Sequence, residues 1–308
     1  KKSIKYFALC RKYYEKIKYK NHACLLDIFY FELFAYHKIG MGAQQKVLFS
    51  NYQQYLEIER SKGKRELPIY HCALEKMYQA RLSDSRKQYD LACEMFKYAK
   101  QNINKIVEEL YVEICYVFAL IEKKYTSLTS AVQFLEEQKN MFPASIELDI
   151  YYQSHEAAKY LNTNPTKAMV FYENIIKYSG ISKRNNKNIG HAYVDILTCC
   201  VLSENWKLFE EKYLDALEYV QTNAQYGEEG RIYNLDGLYY WIKNELKVSE
   251  KYFRNEQFYL GLVHNRNTDI LVKINFVGLL IEQNKLREAT VELKVAYDLF
   301  KKTYRILF

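Results

Sequence analysis

The chain has 308 residues, 49% of them hydrophobic, and a formal net charge of +8 at pH 7. With three prolines and ten glycines, long helices are seldom interrupted, and no apolar run is long enough to span a membrane. The seven cysteines form no CxxC pair and no regular framework, which disfavours a disulfide-rich secreted domain and favours a reducing, cytoplasmic compartment.

The positive charge is concentrated near the start of the chain. Residues 1–20 hold eight Lys or Arg and one Glu, a net charge of +7. From residue 126 onward there are 22 basic and 23 acidic residues. The chain also begins at Lys1, without Met and already in a helical pattern. We therefore expect a segment upstream, and the basic first helix suits a linker from a DNA-binding domain.

Residues 1–67 are predicted to be helical but show no clear period. Helices are expected over 3–18, over Leu25–Tyr36 and around Tyr52, with a loop at Ser61–Arg65. This N-terminal region consists either of degenerate repeats or of a docking segment for a missing upstream domain.

Residues 68–308 are predicted to be an array of helix pairs, because a small-large-small pattern recurs on every second helix. Small residues let helices approach closely, and a large apolar residue fills the groove between them. The pattern recurs at Ala92/Phe96/Ala99, Ala131/Leu135, Ala168/Tyr172/Ile175, Phe209/Tyr213/Ala216, Ser249/Phe253 and Ala289/Leu293/Ala296. Five steps separate Ala92 from Ala289. Their mean length of about 40 residues is typical of helix-turn-helix repeats.

Two further features belong to this array. Gly237 stands where the first helix of a pair needs a small residue, and Asn284 lies in the turn that precedes the last helix. The longest predicted loop of the C-terminal part is Ile181–Gly190, which contains three basic residues. We interpret it as a solvated loop rather than a phosphate-binding one.

These six units resemble tetratricopeptide (TPR) repeats with longer helices than the standard unit. Their length is similar to that in intracellular peptide-pheromone receptors of Gram-positive bacteria and in the sensor arrays of STAND-type ATPases. The resemblance implies an all-α fold, a TPR-like right-handed superhelix (α-solenoid) whose first helices line a concave groove. Five of the six first-helix sites depart from the expected glycine: Ala80, Ala119, Glu156, Leu197 and Val277.

The sequence shows no pattern typical of an enzyme. There is no phosphate-binding loop, no nucleophile elbow and no HExxH, and the six histidines are not spaced as helical metal ligands. We therefore expect no catalytic site, metal or cofactor. The cysteines are expected to be reduced and mostly buried, with Cys199 and Cys200 filling core-facing and inter-repeat positions.

Groove-facing positions of the first helices give the candidate ligand-binding residues, which are Gln153, Asp195, Arg231, Asn234, Trp241 and Asn275. In the receptors that the chain resembles, groove asparagines bind the peptide backbone, and this carries over only to Asn234 and Asn275. From chemistry alone, Trp241 offers an apolar anchor and Arg231 a carboxylate fork.

The leading hypothesis is a non-catalytic peptide- or protein-binding regulatory domain, the C-terminal sensor part of a larger bacterial signalling or transcription regulator. The upstream domain would bind DNA or hydrolyse ATP, a homodimer is one possible assembly, and no membrane partner is expected. One alternative is the sensor array of a STAND-type ATPase. A second is an RNA-binding helical repeat, although a nucleic-acid track should be basic along its length.

Overall fold

The computed structural model describes residues 2–14, 16, 22–38, 42–62, 67–83, 87–181, 186–263 and 266–304. These ranges fold into α-helices joined by short connections and contain no strand. The prediction of an all-α chain is therefore confirmed for the part that the structure describes. The chain forms two compact units, Lys1–His155 and Glu156–Phe308, called here the N-terminal and C-terminal units.

The first eight helices follow in chain order. They are α1 (Lys2–Tyr14), α2 (His22–Lys38), α3 (Gly42–Ser61), α4 (Ile69–Leu82), α5 (Gln88–Gln101), α6 (Glu108–Tyr125), α7 (Leu128–Met141) and α8 (Ile146–Tyr160). A short 3-10 helix, Ile103–Lys105, lies between α5 and α6.

Seven more helices complete the described chain. They are α9 (Pro165–Ile176), α10 (Asn186–Leu202), α11 (Trp206–Thr222), α12 (Tyr226–Ile242), α13 (Leu246–Val263), α14 (Arg266–Glu282) and α15 (Leu286–Tyr304). Among all the described ranges, no helix combines the length and the apolar character needed to cross a membrane.

Helices within each unit pack in chain order and also against their second neighbours. In the N-terminal unit α6 packs on α5 and α7, and α4 touches α6. In the C-terminal unit α12 packs on α11 and α13, and it also touches α10 and α14. A stack of helix pairs produces this pattern, because each first helix lies beside the first helix of the next pair.

Three turns of the C-terminal unit recur at equal intervals along the sequence. In each, one residue closes the first helix in the left-handed region: Glu204 (φ 52°), Asn244 (φ 59°) and Asn284 (φ 60°). The N–H of the following residue donates to the carbonyl five residues back: Asn205 to Cys200 at 2.9 Å, Glu245 to Tyr240 at 2.9 Å and Lys285 to Leu280 at 2.8 Å. This hydrogen bond, with a left-handed residue, ends a helix sharply, and the predicted turn at Asn284 is confirmed.

The first helices of this unit match one another in length as well. Asn186–Leu202, Tyr226–Ile242 and Arg266–Glu282 each have 17 residues, and their first residues are evenly spaced along the chain. Residues separated by this interval therefore occupy the same position in neighbouring repeats. The long loop predicted at Ile181–Gly190 is wrong at its end, because α10 already begins at Asn186, while residues 182–185 lie outside the described residues.

Small residues lie where helices pack closely, as the repeat requires. Ala92, Ala131, Ala168 and Ala289 are all buried. At Gly237 an added Cβ would lie 2.8 Å from Phe253 Cε1, so α12 and α13 meet too closely for a side chain there. Ser249 Oγ on α13 stabilises the same contact between α12 and α13 by donating a hydrogen bond to the Gly237 carbonyl at 2.7 Å.

Two packing expectations need correction. The repeat pattern predicts Leu293 between helices, but it is 54% exposed, because α15 is the last described helix; at the matching position in α13, Phe253 is fully buried. The seven cysteines are free, as expected, but only Cys115, Cys199 and Cys200 are buried, whereas Cys10, Cys24 and Cys93 are exposed. Leu293 and the exposed cysteines lie on sides of their helices that no other described helix covers.

Candidate ligand-binding face

The first helices α10, α12 and α14 lie side by side and share one partly exposed stripe. Residues at positions 6, 9, 10, 13 and 16 of each helix share a side, because three or four residues make one helical turn. On α12 four of these residues, Arg231, Asn234, Leu238 and Trp241, are half-buried. We call the corresponding stripe of the three helices the first-helix face.

An ion cluster joins α10 to α12 on this face. The guanidinium of Arg231 donates from Nη2 to Asp195 Oδ1 at 2.5 Å and from Nη1 to Glu228 Oε2 at 2.8 Å. His191 Nδ1 lies 2.9 Å from the other oxygen of Glu228. His191 and Arg231 are each the sixth residue of their helix, so the cluster connects equivalent positions of two repeats.

The electrostatics of the cluster favour its charged form. Burial alone would raise the pKa of Glu228, but the neighbouring His191 and Arg231 lower it to about 2. Burial opposes the charge of Arg231, yet Asp195 and Glu228 together raise its pKa above the usual range. Both arms of the guanidinium fork are thus already filled by carboxylates of the protein.

Asn234 and Asn275, which are one repeat plus one residue apart in the sequence, lie within hydrogen-bonding distance of each other. Asn275 Nδ2 donates to Asn234 Oδ1 at 3.4 Å, and Asn234 Nδ2 donates to Glu256 Oε2 at 2.7 Å. Glu256 is fully buried on α13, beneath this pair. The pair is therefore anchored through Asn234, while the carbonyl oxygen of Asn275 is an acceptor that this chain of hydrogen bonds does not use.

Trp241 lies at the joint between α12 and α14. Its Nε1 donates to Glu282, and its ring stands edge-on to Phe253 with centroids 6.3 Å apart. A Cβ at Gly278 would lie 2.7 Å from Trp241 Cη2, so the missing side chain of Gly278 makes room for the indole. The apolar ring is thus held in place while remaining partly exposed.

Gln153 belongs to the N-terminal unit. It lies on α8, where its Nε2 donates to Asp149 Oδ1 at 3.4 Å. Its Oε1 is buried and has no hydrogen-bond partner among the described residues. Five of the six predicted ligand residues therefore lie on the first-helix face of the C-terminal unit, and the sixth lies elsewhere.

Sequence reasoning missed the two acids that hold this face together. Glu228 stands three residues before Arg231 on the same helix, a spacing that by itself indicates a pair. Glu256 gave no signal, because its link to Asn234 depends on how α13 packs beneath α12. Both acids are buried, so they position the exposed residues rather than offer themselves to a ligand.

Comparison with known proteins leaves the function to be argued from this geometry. No protein-family model matches the chain, and no curated protein sequence matches it either. In the residues that the structure describes, no three His, Cys, Asp or Glu side chains are grouped to hold a metal ion.

Proposed function

We propose that the chain is a TPR-like sensor domain that binds a peptide or protein segment on its first-helix face. The observation that supports this most directly is the connected row of half-buried polar side chains on three adjacent helices: His191, Asp195, Arg231, Asn234 and Asn275. A right-handed superhelix would make this face concave, and the domain would serve as the regulatory part of a larger signalling or transcription regulator.

The chemistry of a peptide backbone fits this row. Its N–H and C=O groups must keep hydrogen bonds when they leave water, and each such bond contributes about 1 kcal/mol. Neighbouring first helices lie about 10 Å apart, a distance that about three residues of extended chain cover. An extended segment crossing the three helices would place a backbone amide near each polar position in turn.

The alternatives differ in what they require of the face. A sensor array of a STAND-type ATPase would use the same face and differ only in the domain attached to it. An RNA-binding array would need cations along the face, but Asp195, Glu228 and Glu282 would repel phosphate there. The acidic side chains favour a peptide or protein ligand over RNA.

Peptide selection followed by calorimetry tests the proposal. A displayed library of random heptapeptides is selected on the full 308-residue chain, and an enriched synthetic peptide is titrated into the wild type. Asn275→Ala should weaken its binding by about fivefold to tenfold, the loss of one hydrogen bond. This variant is cleaner than Asn234→Ala, which would also remove a hydrogen bond from the buried Glu256.

Asn255→Ala is the matched control, because Asn255 lies on the second helix α13, outside the first-helix face. Its binding and melting temperature should equal those of the wild type. Failure to enrich any peptide above background would contradict the proposal. An enriched peptide that binds Asn275→Ala as tightly as the wild type would exclude this face as its site.

A further inference from the structure

A cavity opens between α1, α2 and α3 in the N-terminal unit, on helices that the proposed function does not use. Its volume is about 380 Å³, which lies within the range of pockets that hold small molecules. Arg11 of α1 and Glu32 and Tyr36 of α2 lie at its wall, so two opposite charges border one space.

Glu32 is a buried carboxylate with few partners. It is 1% exposed, and Arg11 Nε donates to its Oε2 at 3.1 Å. Across the described ranges this is the one hydrogen bond that the carboxylate receives. A carboxylate has two oxygens and about four acceptor sites, and a buried acceptor that stays unfilled is costly. Glu32 can therefore accept a further hydrogen bond from a molecule in the cavity that it lines.

Arg11 is held at the same cavity by two contacts. Besides the hydrogen bond to Glu32, its guanidinium carbon lies 5.6 Å from the centroid of the Phe29 ring. A guanidinium that is positioned in advance is well suited to bind a carboxylate. Tyr36 lies near both charges: burial and Glu32 raise the pKa of its phenol, and Arg11 opposes this. The hydroxyl is therefore protonated at neutral pH and can donate or accept a hydrogen bond.

The third helix adds an apolar surface to the cavity. Four lining residues of α3 share one side of this helix, because they are three or four positions apart: Gln44, Val47, Leu48 and Asn51. Leu48 is buried, whereas Val47 is 67% exposed. The two aliphatic side chains can cover the apolar part of a ligand, and the two amides offer donors and acceptors on either side of them. A small number of polar groups beside an apolar wall is typical of ligand pockets.

We propose that this cavity binds a small zwitterion, an α-amino acid with an aliphatic side chain. The ammonium group of the ligand donates to Glu32, its carboxylate accepts from Arg11, and its side chain lies on Val47. An α-amino acid carries both charges on one carbon, as close together as the charges of Arg11 and Glu32. A cation without a carboxylate would be repelled by Arg11, and an anion without an ammonium group would be repelled by Glu32. This site is independent of the first-helix face, which lies in the C-terminal unit.

Calorimetry with L-leucine as the probe tests the proposal on the full 308-residue chain. Leucine should bind saturably with a stoichiometry of one. Leucinamide lacks the carboxylate and N-acetylleucine lacks the ammonium group, so each should bind at least about tenfold more weakly, the loss of one hydrogen bond to a charged group. Absence of saturation at about 10 mM leucine would overturn the proposal. Equal binding of leucine and leucinamide would also overturn it, because Arg11 would then not hold a carboxylate.

Two variants assign each charge of the ligand to its partner. In Glu32→Gln the preference for leucine over N-acetylleucine should fall about tenfold, while the preference over leucinamide remains. In Arg11→Gln the preference over leucinamide should fall instead. Lys12→Gln is the matched control, because Lys12 is exposed and also loses one positive charge, and it should retain both preferences. Unchanged preferences in Glu32→Gln and Arg11→Gln would place the leucine elsewhere.

A third variant changes no buried group and so does not depend on the stability of the Arg11–Glu32 pair. Val47→Trp should abolish leucine binding, because the indole occupies the cavity. Ile58→Trp is its control, since Ile58 is also an exposed aliphatic residue of α3 but does not line the cavity. Equal leucine affinity of Val47→Trp and the wild type would overturn the proposal. The proposed function is tested separately, because none of these variants lies on the first-helix face.

Discussion

The two units of the chain hold their helices together in different ways. In the C-terminal unit α10, α12 and α14 begin at equal intervals, at Asn186, Tyr226 and Arg266, whereas in the N-terminal unit α4, α6 and α8 begin at Ile69, Glu108 and Ile146, where the two intervals differ. Of the fifteen buried polar or charged side chains found in the described residues, ten lie in the N-terminal unit. The regularly spaced C-terminal unit has repeated turns, whereas the irregularly spaced N-terminal unit has more buried polar side chains.

The N-terminal unit shows what those hydrogen bonds do. His71, on α4, is buried, and its Nδ1 lies 2.8 Å from Tyr52 Oη on α3, while its Nε2 lies 3.2 Å from Asp27 Oδ1 on α2. Burial lowers the pKa of His71 and Asp27 opposes this, so a neutral ring with its proton on Nε2 satisfies both partners. His71 thereby connects α2, α3 and α4. In the C-terminal unit the left-handed turns instead fix the angle between consecutive helices.

The two units therefore fix the relative positions of their helices by different interactions. A buried polar network has a strong directional requirement, since each unpaired group would cost about 1–3 kcal/mol. A repeated turn needs no partner from another helix and so reproduces the same geometry in each repeat. Substitutions in the two units should therefore differ in size and in pH dependence.

The largest effect is expected from apolar packing in the C-terminal unit. Phe253→Ala should lower the free energy of unfolding by about 3–5 kcal/mol, because it leaves a cavity between α12, α13 and α14. Leu293→Ala, at the same position in the last described helix, should cost less than about 1 kcal/mol, because Leu293 is already half in solvent. Urea unfolding measures both.

The pair also tests the assignment of equivalent positions. Equal losses for Phe253→Ala and Leu293→Ala would show that α15 is covered in solution. Negligible losses for both would contradict the packing of α13 beneath α12 and α14.

A buried carboxyl at an otherwise apolar position should make the C-terminal unit sensitive to pH. Asp236 stands where the adjacent repeats have Ile196 and Phe276; burial raises its pKa from 3.8 to about 7, and a hydrogen bond from Tyr213 only partly opposes this. Because the folded-state pKa is raised, its contribution to stability is present below pH 3.8 and is lost as the pH rises towards 7. The loss should total about 4 kcal/mol, at about 1.4 kcal/mol per pKa unit.

Asp236→Asn should abolish this decline, so that the variant matches the wild type near pH 4 and exceeds it in stability at pH 8. Glu228→Gln on the same helix is the control of opposite sign. The pKa of Glu228 is lowered to about 2, so its contribution is present above pH 4.5 and is lost as the pH falls towards 2. Urea midpoints between pH 3 and 8 distinguish the two, and a decline that persists in Asp236→Asn would assign the effect to another group.

A smaller effect is expected from the polar network of the N-terminal unit. Tyr52→Phe keeps the ring but leaves His71 Nδ1 buried without its partner, which should cost about 1–3 kcal/mol. Tyr6→Phe is the control, because Tyr6 is exposed on α1. Chemical unfolding of both variants gives the comparison, and equal stability of the two would mean that the network does not hold α3 to α4.

Local sequence signals predicted most of the fold, whereas the burial of individual side chains also depended on neighbouring helices. The small residues at Ala92 and Gly237 revealed close crossings, and Asn284 revealed a turn, because each of these requirements is met within a few residues of the chain. The exposure of Leu293 was not predictable from its own repeat, because a large apolar residue is buried only if a further helix covers it.

The candidate site divides in the same way. The repeat pattern assigned Asn234 and Asn275 to first helices, but it did not show that they contact each other or that Asp195 and Glu228 fill the fork of Arg231. The charges around a long side chain decide where it points. For Arg231 one of these charges, Asp195, lies on another helix, and its distance from Arg231 cannot be read from the sequence. The exposure of Leu202 and Ile242 was likewise not predicted, because an apolar position on a helix is ordinarily assigned to the core.

The smallest effect concerns the turns that keep the C-terminal unit regular. Glu204, like Asn244 and Asn284, has a left-handed backbone, with φ of 52°. This conformation costs a residue with a Cβ roughly 1 kcal/mol, asparagine less and glycine almost nothing. Glu204→Gly should therefore raise the free energy of unfolding by about 1 kcal/mol, and Asn244→Gly by about half of that. Glu204→Ala is the matched control, because it removes the carboxylate but keeps the Cβ, and it should give no gain. If urea unfolding shows equal gains for Glu204→Ala and Glu204→Gly, the loss of charge, and not relief of the backbone, explains the stabilisation.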